Sequence, residues 1–540
     1  MIVALFRDQR VIAFGIFIAS LLLFTVGLAQ QEIIGFESRF YLFALEMWRH
    51  GLSWFPTTYG RPYPDYPVIP TLFIYGLAKW VGCLNKWVAV FPSAVAAALT
   101  LSVTYLIGAL HDRRWGLLAV FFMLLTNTFV MEARTISPDQ FVVFATTLSF
   151  YLVYSATLFD KKGRLFFIPV LLFFGFACRG PIGLVVPAGV ICLFYLVDKQ
   201  YRQFLLIGIV SVILLCVSCG ILFGIAHHLG GMAFMNEVWH TEVSGRLQDA
   251  YLPWYFYFSE SLGSYAITYP LAFFVLCGVM LQRHEMNLHD LKLFCKLTVW
   301  VLVILLGLSI PAGKKIRYIL AMTPALALIS AALFVLPVHH RYSYCLQRIV
   351  RSVLFLLPTL CLLLMVFSQQ WVLQHHARVD VFVVWQHVDP QTPMMIIVLS
   401  VLQGLQYMLR KFDVCIVGVA ALVFCAMYIV FIEPINIFLN QSRDFVLAVE
   451  SVRIAEKARL VFYQENPDGT PIKYMANMPV AVQPVFISTS NALVDFHTPA
   501  VFIADPEHFA ALPKTVLQSV KILNTGRVGH NKLVAFEKMD

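Results

Sequence analysis

The sequence predicts an α-helical polytopic membrane protein with about 13 transmembrane helices and a small C-terminal soluble α/β domain. Hydrophobic residues make up 60% of the 540 residues, charged residues make up only 13%, and the mean hydropathy is +0.77. This composition excludes an ordinary soluble globular protein. Apolar runs fill most of residues 1–433, and the composition becomes polar and mixed over residues 434–540.

Helices account for the apolar part, because runs of about 17–25 apolar residues cross about 30 Å of hydrocarbon with their backbone groups satisfied. The predicted spans lie near residues 10–30, 87–110, 116–131, 138–158, 165–178, 182–197, 203–226, 263–281, 293–310, 318–337, 350–371, 393–409 and 414–432. The first follows Arg7 and Arg10 as a signal peptide would, but no small-residue cleavage site follows it. We therefore expect it to be retained.

Basic residues recur in alternate connections between these spans, as in Lys161-Lys162 and Arg410-Lys411. By the positive-inside rule those connections are cytoplasmic, which places the N-terminus inside and residues 434–540 outside. The formal charge of +9 is then a topology signal, and we expect no nucleic-acid partner.

Two domains are predicted: a transmembrane domain over 1–433, whose first outer loop spans 31–86, and a soluble extracytoplasmic α/β domain over 434–540. The second carries short apolar strands, an amphipathic helix near 443–457 and turn signals. It contains no glycine-rich phosphate loop, no metal-spaced His/Cys set and no nucleophile elbow. A packing or acceptor-positioning role is expected for it.

The first outer loop concentrates carboxylates, arginines and aromatic residues. Apolar positions from Phe36 to Trp48 recur at helical spacing, which predicts an amphipathic helix that ends at Gly51 and lies in the membrane interface. Glu37 begins that helix, where the helix dipole favours a carboxylate, and Asp65 lies between two prolines in a turn. Each of these acids is open to a structural or a catalytic interpretation.

Charged residues also mark other outer loops. Arg134 and Asp139 bracket the start of the fourth predicted span, and Arg179 precedes Gly180-Pro181 at a break between two short spans. An unpartnered charge at the membrane edge is a functional hypothesis. Three further cations share one short outer turn: Lys314, Lys315 and Arg317. Since they oppose the positive-inside bias, we expect an anion beside them, with a lipid phosphate the nearest candidate.

These residues, in this order, resemble the GT-C membrane glycosyltransferases, among them the protein O-mannosyltransferases and the lipid A aminoarabinose transferases. The matching elements are Phe36-Glu37-Ser38-Arg39-Phe40, the stretch 44–51, Tyr63-Pro64-Asp65-Tyr66-Pro67, Arg134 to Asp139, Arg179-Gly180-Pro181, Pro253-Trp254-Tyr255, and Lys314/Lys315 with Tyr318. The likeness covers roughly residues 1–340. Two departures stand out: the aspartate that leads the family's first motif is Phe36 here, and a lysine of the third motif is Tyr66.

The resemblance implies transfer of a hexosyl or pentosyl group from a polyprenyl-phosphate donor to lipid A, another glycan or a protein, on the outer face of a bacterial inner membrane. Such chemistry needs a carboxylate to take the acceptor proton and cations around the departing phosphate. We expect Asp65 or Glu37 to be the base, with Asp139 orienting the acceptor. The substrate-binding candidates are Arg39, Tyr63, Tyr66, Arg134, Arg179, Lys314, Lys315, Arg317 and Tyr318.

The expected partners are the polyprenyl-phosphate sugar, its acceptor and membrane lipids. The sequence requires no cofactor, is compatible with a divalent metal and assigns no metal ligands. Two alternatives stay open: a lipid or solute transporter, and a catalytically inactive scaffold of the same fold, which the substitution at Phe36 favours. A transporter would show charges in mid-span and internal repeats, and no two-fold repeat is evident.

Overall fold

The structure, a computed structural model, describes residues 8–65, 67–245, 252–284, 286–336, 340–374, 392–496 and 499–539, without the side chains of 364–374 and 392. The chain forms two compact units. The first comprises Met1–Val26, Pro64–Pro70 and Val90–Ile432, and the second comprises Gly27–Tyr63, Thr71–Ala89 and Glu433–Asp540.

Most of the described residues are helical. In chain order the α-helices up to residue 239 are α1 (Gln9–Thr25), α2 (Glu37–His50), α3 (Ile69–Val81), α4 (Lys86–Ala109), α5 (Arg113–Leu124), α6 (Asn127–Ala133), α7 (Asp139–Phe159), α8 (Ile168–Arg179), α9 (Pro181–Val197) and α10 (Tyr201–Trp239). The next are α11 (Phe256–Ser264), α12 (Thr268–Leu281), α13 (Leu288–Ser309), α14 (Thr323–Ala332), α15 (Arg341–Gln374), α16 (Thr392–Met408) and α17 (Asp413–Met427).

Every predicted apolar segment falls on helical structure. Within the described ranges, seven helices are long and apolar enough to cross a membrane, or up to nine if each bent pair is one span. The bent pairs are α5 with α6 (78°) and α11 with α12 (107°). The helical membrane architecture is confirmed, and the count of thirteen spans stays a prediction, because several segments form helices too short for that test.

The short helix α14 lies at the centre of the first unit, and all ten of its residues are buried. It packs against α5, α12 and α13. Two buried indoles donate hydrogen bonds to this region: Trp115 to the carbonyl oxygen of Leu328 (2.8 Å) and Trp300 to that of Ala321 (3.0 Å). These bonds satisfy the polar end of each large apolar ring inside the core.

The break predicted at Arg179-Gly180-Pro181 is confirmed. Helix α8 ends at Arg179, Gly180 adopts φ +69°, and α9 begins at Pro181. The two helices meet backbone to backbone, since a Cβ on Gly175 would lie 2.1 Å from the carbonyl oxygen of Gly183. Only glycine permits this approach, and the contact fixes Arg179 at the tip of a tight helical hairpin.

The second unit is built on a five-stranded sheet in the order β4-β3-β5-β7-β6. Strand β3 is parallel to β4 and β5, and β7 is antiparallel to β5 and β6. The strands of this sheet are β3 (Arg459–Tyr463), β4 (Val485–Ile487), β5 (Ala500–Ala504), β6 (Val520–Val528) and β7 (Asn531–Lys538), while β1 (Thr57–Thr58) and β2 (Arg61–Pro62) form a separate small hairpin. The helices after α17 are α18 (Glu433–Asn440), α19 (Arg443–Ala455), α20 (Thr470–Ala476), α21 (Ser490–Val494), α22 (Pro506–Ala510) and α23 (Lys514–Leu517).

Helix α2, from the first loop, belongs to the core of this sheet. Its Leu42 and Leu45 pack in one buried cluster with Phe445, Phe462 and Tyr474. The predicted helix and its end at Gly51 are confirmed. The face that we expected to lie on the membrane interface is buried in protein as well, since Phe40, Phe43 and Met47 are at most 3% exposed. Periodicity reveals an apolar face and not what covers it.

Candidate active site

Asp139 joins two arginines at one end of the first unit. It begins α7, and its Oδ1 accepts a hydrogen bond from Nε of Arg179 at 2.9 Å. Its Oδ2 lies 3.1 Å from Nε of Arg317. The side chains of Asp139, Arg179 and Arg317 are only 7%, 0% and 11% exposed. One carboxylate therefore faces two guanidinium groups inside the protein.

The ring of Tyr318 lies under both guanidinium groups. The guanidinium carbon of Arg179 is 5.2 Å from the ring centroid, and that of Arg317 is 5.8 Å from it. Both distances are within the range of a cation–π contact. Tyr318 thus orients the two arginines that Asp139 pairs. These four residues, all predicted from sequence as site residues, are brought together.

The lysine turn, residues 314–317, adjoins this cluster through Arg317. Lys314 is buried, and its Nζ donates a hydrogen bond to the carbonyl oxygen of Leu252 at 3.1 Å. Lys315 is exposed. Consequently Lys315 is the lysine of this turn that can reach an incoming ligand.

Two buried tyrosines hold the backbone of that turn. The hydroxyl of Tyr257 accepts a hydrogen bond from the N–H of Lys315 at 3.3 Å, and the hydroxyl of Tyr265 donates one to the carbonyl oxygen of Ile316 at 3.0 Å. Both tyrosines are 0% exposed. Sequence reasoning missed them, although they closely follow the Pro253-Trp254-Tyr255 element.

A further carboxylate, Glu242, lies against the hairpin tip. It belongs to the π-helical turn His240–Ser244 and is 4% exposed. A Cβ on Gly180 would lie 2.9 Å from its Oε2. The missing side chain at Gly180 therefore lets a buried acid approach the residue that follows Arg179. Sequence reasoning also missed Glu242, which lies outside every recognised motif.

Arg134 is fully buried in the first unit, and two of its contacts are with the end of α1. Its Nη1 donates to the carbonyl oxygen of Leu23 and its Nη2 to that of Val26, both at 2.9 Å. A cation at a helix C-terminus satisfies carbonyl groups that lack helical partners. These contacts hold α1, and the predicted substrate-binding role of Arg134 stays a prediction.

Glu37, in the second unit, forms a balanced buried ion pair. Its Oε1 lies 2.8 Å from Nζ of Lys86 and accepts a hydrogen bond from the N–H of Ile34 at 3.2 Å. Both charged side chains are 3% exposed. Lys86 also donates to the carbonyl oxygen of Glu32. The pair is therefore neutral and sealed from solvent.

Arg39 and Tyr63 are together in the same unit. The guanidinium of Arg39 is 5.4 Å from the centroid of the Tyr63 ring and 5.9 Å from that of Phe36. Its Nη2 donates to the carbonyl oxygen of Asp468 at 3.2 Å. The substitution at Phe36 thus supplies an aromatic face for Arg39. The substrate-binding roles of Arg39 and Tyr63 stay predictions.

Asp65 belongs to the first unit, in the segment Pro64–Pro70, and is half-buried. It therefore shares a unit with Asp139, and Glu37 does not. Tyr66 lies outside the described residues. Within the described part of the chain, no group of three or more His, Cys, Asp or Glu side chains has an arrangement that could hold a metal ion.

Glu46, also on α2, is a buried acid of the second unit. Burial raises the pKa of its carboxyl above the usual value, and a hydrogen bond from the N–H of Gly60 to its Oε2 (3.2 Å) partly offsets that rise. Electrostatic interactions with the neighbouring His50 and Arg49 lower the pKa of Glu46 as well. Glu46 therefore weakens this unit whenever it is ionised.

Comparison with known proteins identifies the fold. The family model for dolichyl-phosphate-mannose-protein mannosyltransferases matches residues 65–223, which include Asp65, Asp139 and Arg179. The crystal structure of ArnT from Cupriavidus metallidurans in the apo state superposes with a TM-score of 0.73 at 15% identity, over 97% of each chain. The chain resembles the GT-C membrane glycosyltransferases in sequence and in fold. The resemblance inferred from the motifs is thus confirmed.

The comparisons gave two further similarities. The structure of the same ArnT bound to undecaprenyl phosphate gives the same TM-score, identity and coverage. An uncharacterized protein of Aquifex aeolicus (strain VF5) is 27% identical over 266 residues, which are 48% of this chain and 51% of the relative. The chain therefore spans about half the length of that curated relative.

Proposed function

We propose that this protein is an integral membrane glycosyltransferase that moves a sugar from a polyprenyl-phosphate donor to an envelope acceptor, which is lipid A, another glycan or a protein. The observation that carries the proposal is the pairing of one carboxylate, Asp139, with two buried arginines, Arg179 and Arg317, beside the lysine turn. This arrangement holds two guanidinium groups in fixed orientations, and preorganised cations of this kind stabilise the charge of a phosphate leaving group.

The cations would stabilise the departing phosphate. Arginine offers a planar fork of donors that matches phosphate oxygens, and charge-assisted bonds are the strong ones. We assign Arg179 and Arg317 to this role, with Lys315 as the exposed cation that meets the donor first. Asp139 is then a positioning residue that sets the orientation of both guanidinium groups. ArnT, which has the same fold, binds undecaprenyl phosphate, and that supports a polyprenyl-phosphate donor here.

We assign Asp65 as the general base. Its carboxylate takes the proton of the acceptor hydroxyl, whose oxygen then bonds to the anomeric carbon of the sugar. The bond from that carbon to the phosphate oxygen breaks, and polyprenyl phosphate leaves with the electron pair. Glu37 is less suited to this step, because it is 3% exposed and neutralised by Lys86.

Transfer of a radiolabelled sugar from polyprenyl phosphate by the purified full chain tests the proposal. Lipid A, an envelope glycan and a peptide serve as separate acceptors, and Arg114→Gln is the control because Arg114 is exposed and outside the cluster. We expect labelled product from the wild type and the control, and little from Arg317→Gln. A folded wild type that labels no acceptor would overturn the proposal in favour of a transporter or an inactive scaffold.

We also propose thirteen spans in a bacterial inner membrane, a cytoplasmic N-terminus and an extracytoplasmic domain over 434–540. Reporter fusions after Lys162 and after Pro434 test this topology. The first should read as cytoplasmic and the second as extracytoplasmic, because the basic clusters share one side. A cytoplasmic signal after Pro434 would contradict the span count.

A further inference from the structure

A polar cavity opens in the first unit near the end of α7, the helix that Asp139 begins. It has a volume of about 580 Å³ and is lined by the last turns of α7 and α9, by residues 198–200 between α9 and α10, and by the first turns of α13. Asp139 begins α7 and Leu158, in the lining, nearly ends it, so the cavity lies about 28 Å along the helix axis from the Asp139 cluster. It is therefore a separate site.

The floor of the cavity is a buried ion pair. Nζ of Lys296 lies 2.7 Å from Oδ2 of Asp198, and the two side chains are 4% and 13% exposed. The ring of Phe194 stacks on the same ammonium group at 3.9 Å. Because Lys296 neutralises Asp198, the floor does not repel an anion.

The rim of the cavity is cationic. Lys199 and Lys292 line it and are both exposed, as is His289. In the described part of the chain, neither lysine has an ion-pair partner within 4.0 Å. The lining therefore carries two positive charges beyond the neutral floor.

Exposed apolar side chains flank this rim. Leu288 adjoins His289, Tyr201 adjoins the lining residue Gln200, and Phe159 adjoins Leu158. They are 66%, 60% and 54% exposed. A charged cavity beside such a surface suits a ligand that has an anionic head and apolar chains.

We propose that this cavity binds a phosphate-bearing anion, the headgroup of an anionic membrane phospholipid. Its volume is within the range of about 300–1,000 Å³ that is typical of small-molecule sites. The lysines of the rim bind the phosphate through charge-assisted hydrogen bonds, and the acyl chains lie on the flanking apolar side chains. This inference does not depend on the proposed transferase activity.

Native mass spectrometry of the detergent-solubilised full chain with added phosphatidylglycerol tests the inference. The cavity variant is Lys199→Gln with Lys292→Gln, and the matched control is Lys161→Gln with Lys162→Gln. The control removes two exposed lysines outside the cavity lining. We expect the cavity variant to bind phosphatidylglycerol about tenfold to thirtyfold more weakly and the control to change by about twofold or less.

Two further arms decide the outcome. Zwitterionic phosphatidylcholine should show no difference between the variants. Excess inorganic phosphate should fail to displace phosphatidylglycerol, because the acyl chains add apolar contacts; full displacement would assign the cavity to a soluble phosphate compound and overturn the choice of a lipid. Equal loss in the two variants, or no loss in the cavity variant, would overturn the site itself.

Discussion

Buried acids have different sets of charged partners in the two units. In the first unit, Asp139 faces two arginines, and a second buried acid, Glu242, adjoins the tip that carries one of them. In the second unit, Glu37 faces one lysine, and the pair has no net charge. Burying an ion is costly unless a partner compensates it. A one-to-one pair is thus what structure alone needs, and we propose that the arginines of the Asp139 cluster also serve a phosphate ligand.

The largest expected effect separates the two candidate bases. Asp65→Asn should lower the transfer rate by about 10²–10⁴-fold, because an amide cannot act as a base toward the hydroxyl group of the acceptor. Glu37→Gln should leave the rate per folded molecule nearly unchanged. Asp160→Asn controls for loss of an exposed acid. Steady-state transfer assays measure all three, and a rate loss in Glu37→Gln alone would reverse the assignment.

Breaking the buried Glu37–Lys86 pair should lower the free energy of unfolding. Lys86→Met leaves Glu37 buried without its ammonium partner and should cost about 3–5 kcal/mol of folding free energy. The double variant Glu37→Gln with Lys86→Met should recover part of that loss, because neither partner is then charged. Denaturant titration of the full chain in detergent gives both values. Additive losses in the double variant would show that the two groups are not coupled.

Changes in the Asp139 cluster should lower the rate of sugar transfer. Arg317→Gln should lower the transfer rate by about 10²–10³-fold, as expected for loss of one preorganised cation at a developing negative charge. Arg317→Lys should restore part of the rate, since the charge returns without the fork. Lys315→Gln should mainly raise KM for the donor. If saturating donor rescued Arg317→Gln completely, this arginine would act in binding and not in the transition state.

A smaller effect is expected at the hairpin tip. Gly180→Ala forces a side chain into φ +69° and places its Cβ 2.9 Å from Oε2 of Glu242. The strain should cost about 1–3 kcal/mol and reduce transfer by displacing Glu242. Gly208→Ala is the control: it lies in α10, and a Cβ there would meet nothing within 4 Å. Equal thermal stability and activity in the two variants would contradict the account.

The smallest effect concerns pH. Burial raises the pKa of Glu46 in the folded state, so the protonated acid favours folding. Stability from this group is present below the unfolded-state value of 4.5 and is lost as the pH rises through the higher folded-state pKa. Glu46→Gln should therefore raise Tm at neutral pH and change it little in acid. The exposed Glu507→Gln should show no such trend, and a lowered Tm at neutral pH would contradict the sign.

Much of the helical architecture was predictable, because apolar length and composition report membrane helices directly. The hairpin break was also predictable, since Gly180-Pro181 interrupts an apolar run. The composition of the cluster followed from the motifs, but its geometry did not: Asp139 and Arg179 are 40 positions apart, and spacing does not specify which nitrogen meets which oxygen. The structure supplied that pairing.

The missed features share a physical cause. Tyr257, Tyr265 and Glu242 act through contacts with backbone that is distant in sequence. The residues next to them form no motif that would predict those contacts. Helix α2 was recognised as amphipathic, but the same pattern fits a lipid surface and a protein core. The span count could not be settled from hydropathy, since short helices such as α14 are apolar because they are buried among other helices.

The packing of α2 on the sheet imposes an order on biosynthesis. The side chain of Arg49 bonds the carbonyl oxygen of Met478, a partner 429 positions later in the chain. At a synthesis rate of about 5–20 residues per second, α2 waits about 20–90 s for the strands that cover it. During that interval Leu42 and Leu45 have no sheet to pack on. A nascent chain stopped before Glu433 would therefore expose the apolar side chains of α2 that the sheet normally covers. Chaperones and proteases of the quality-control system recognise such exposed apolar segments.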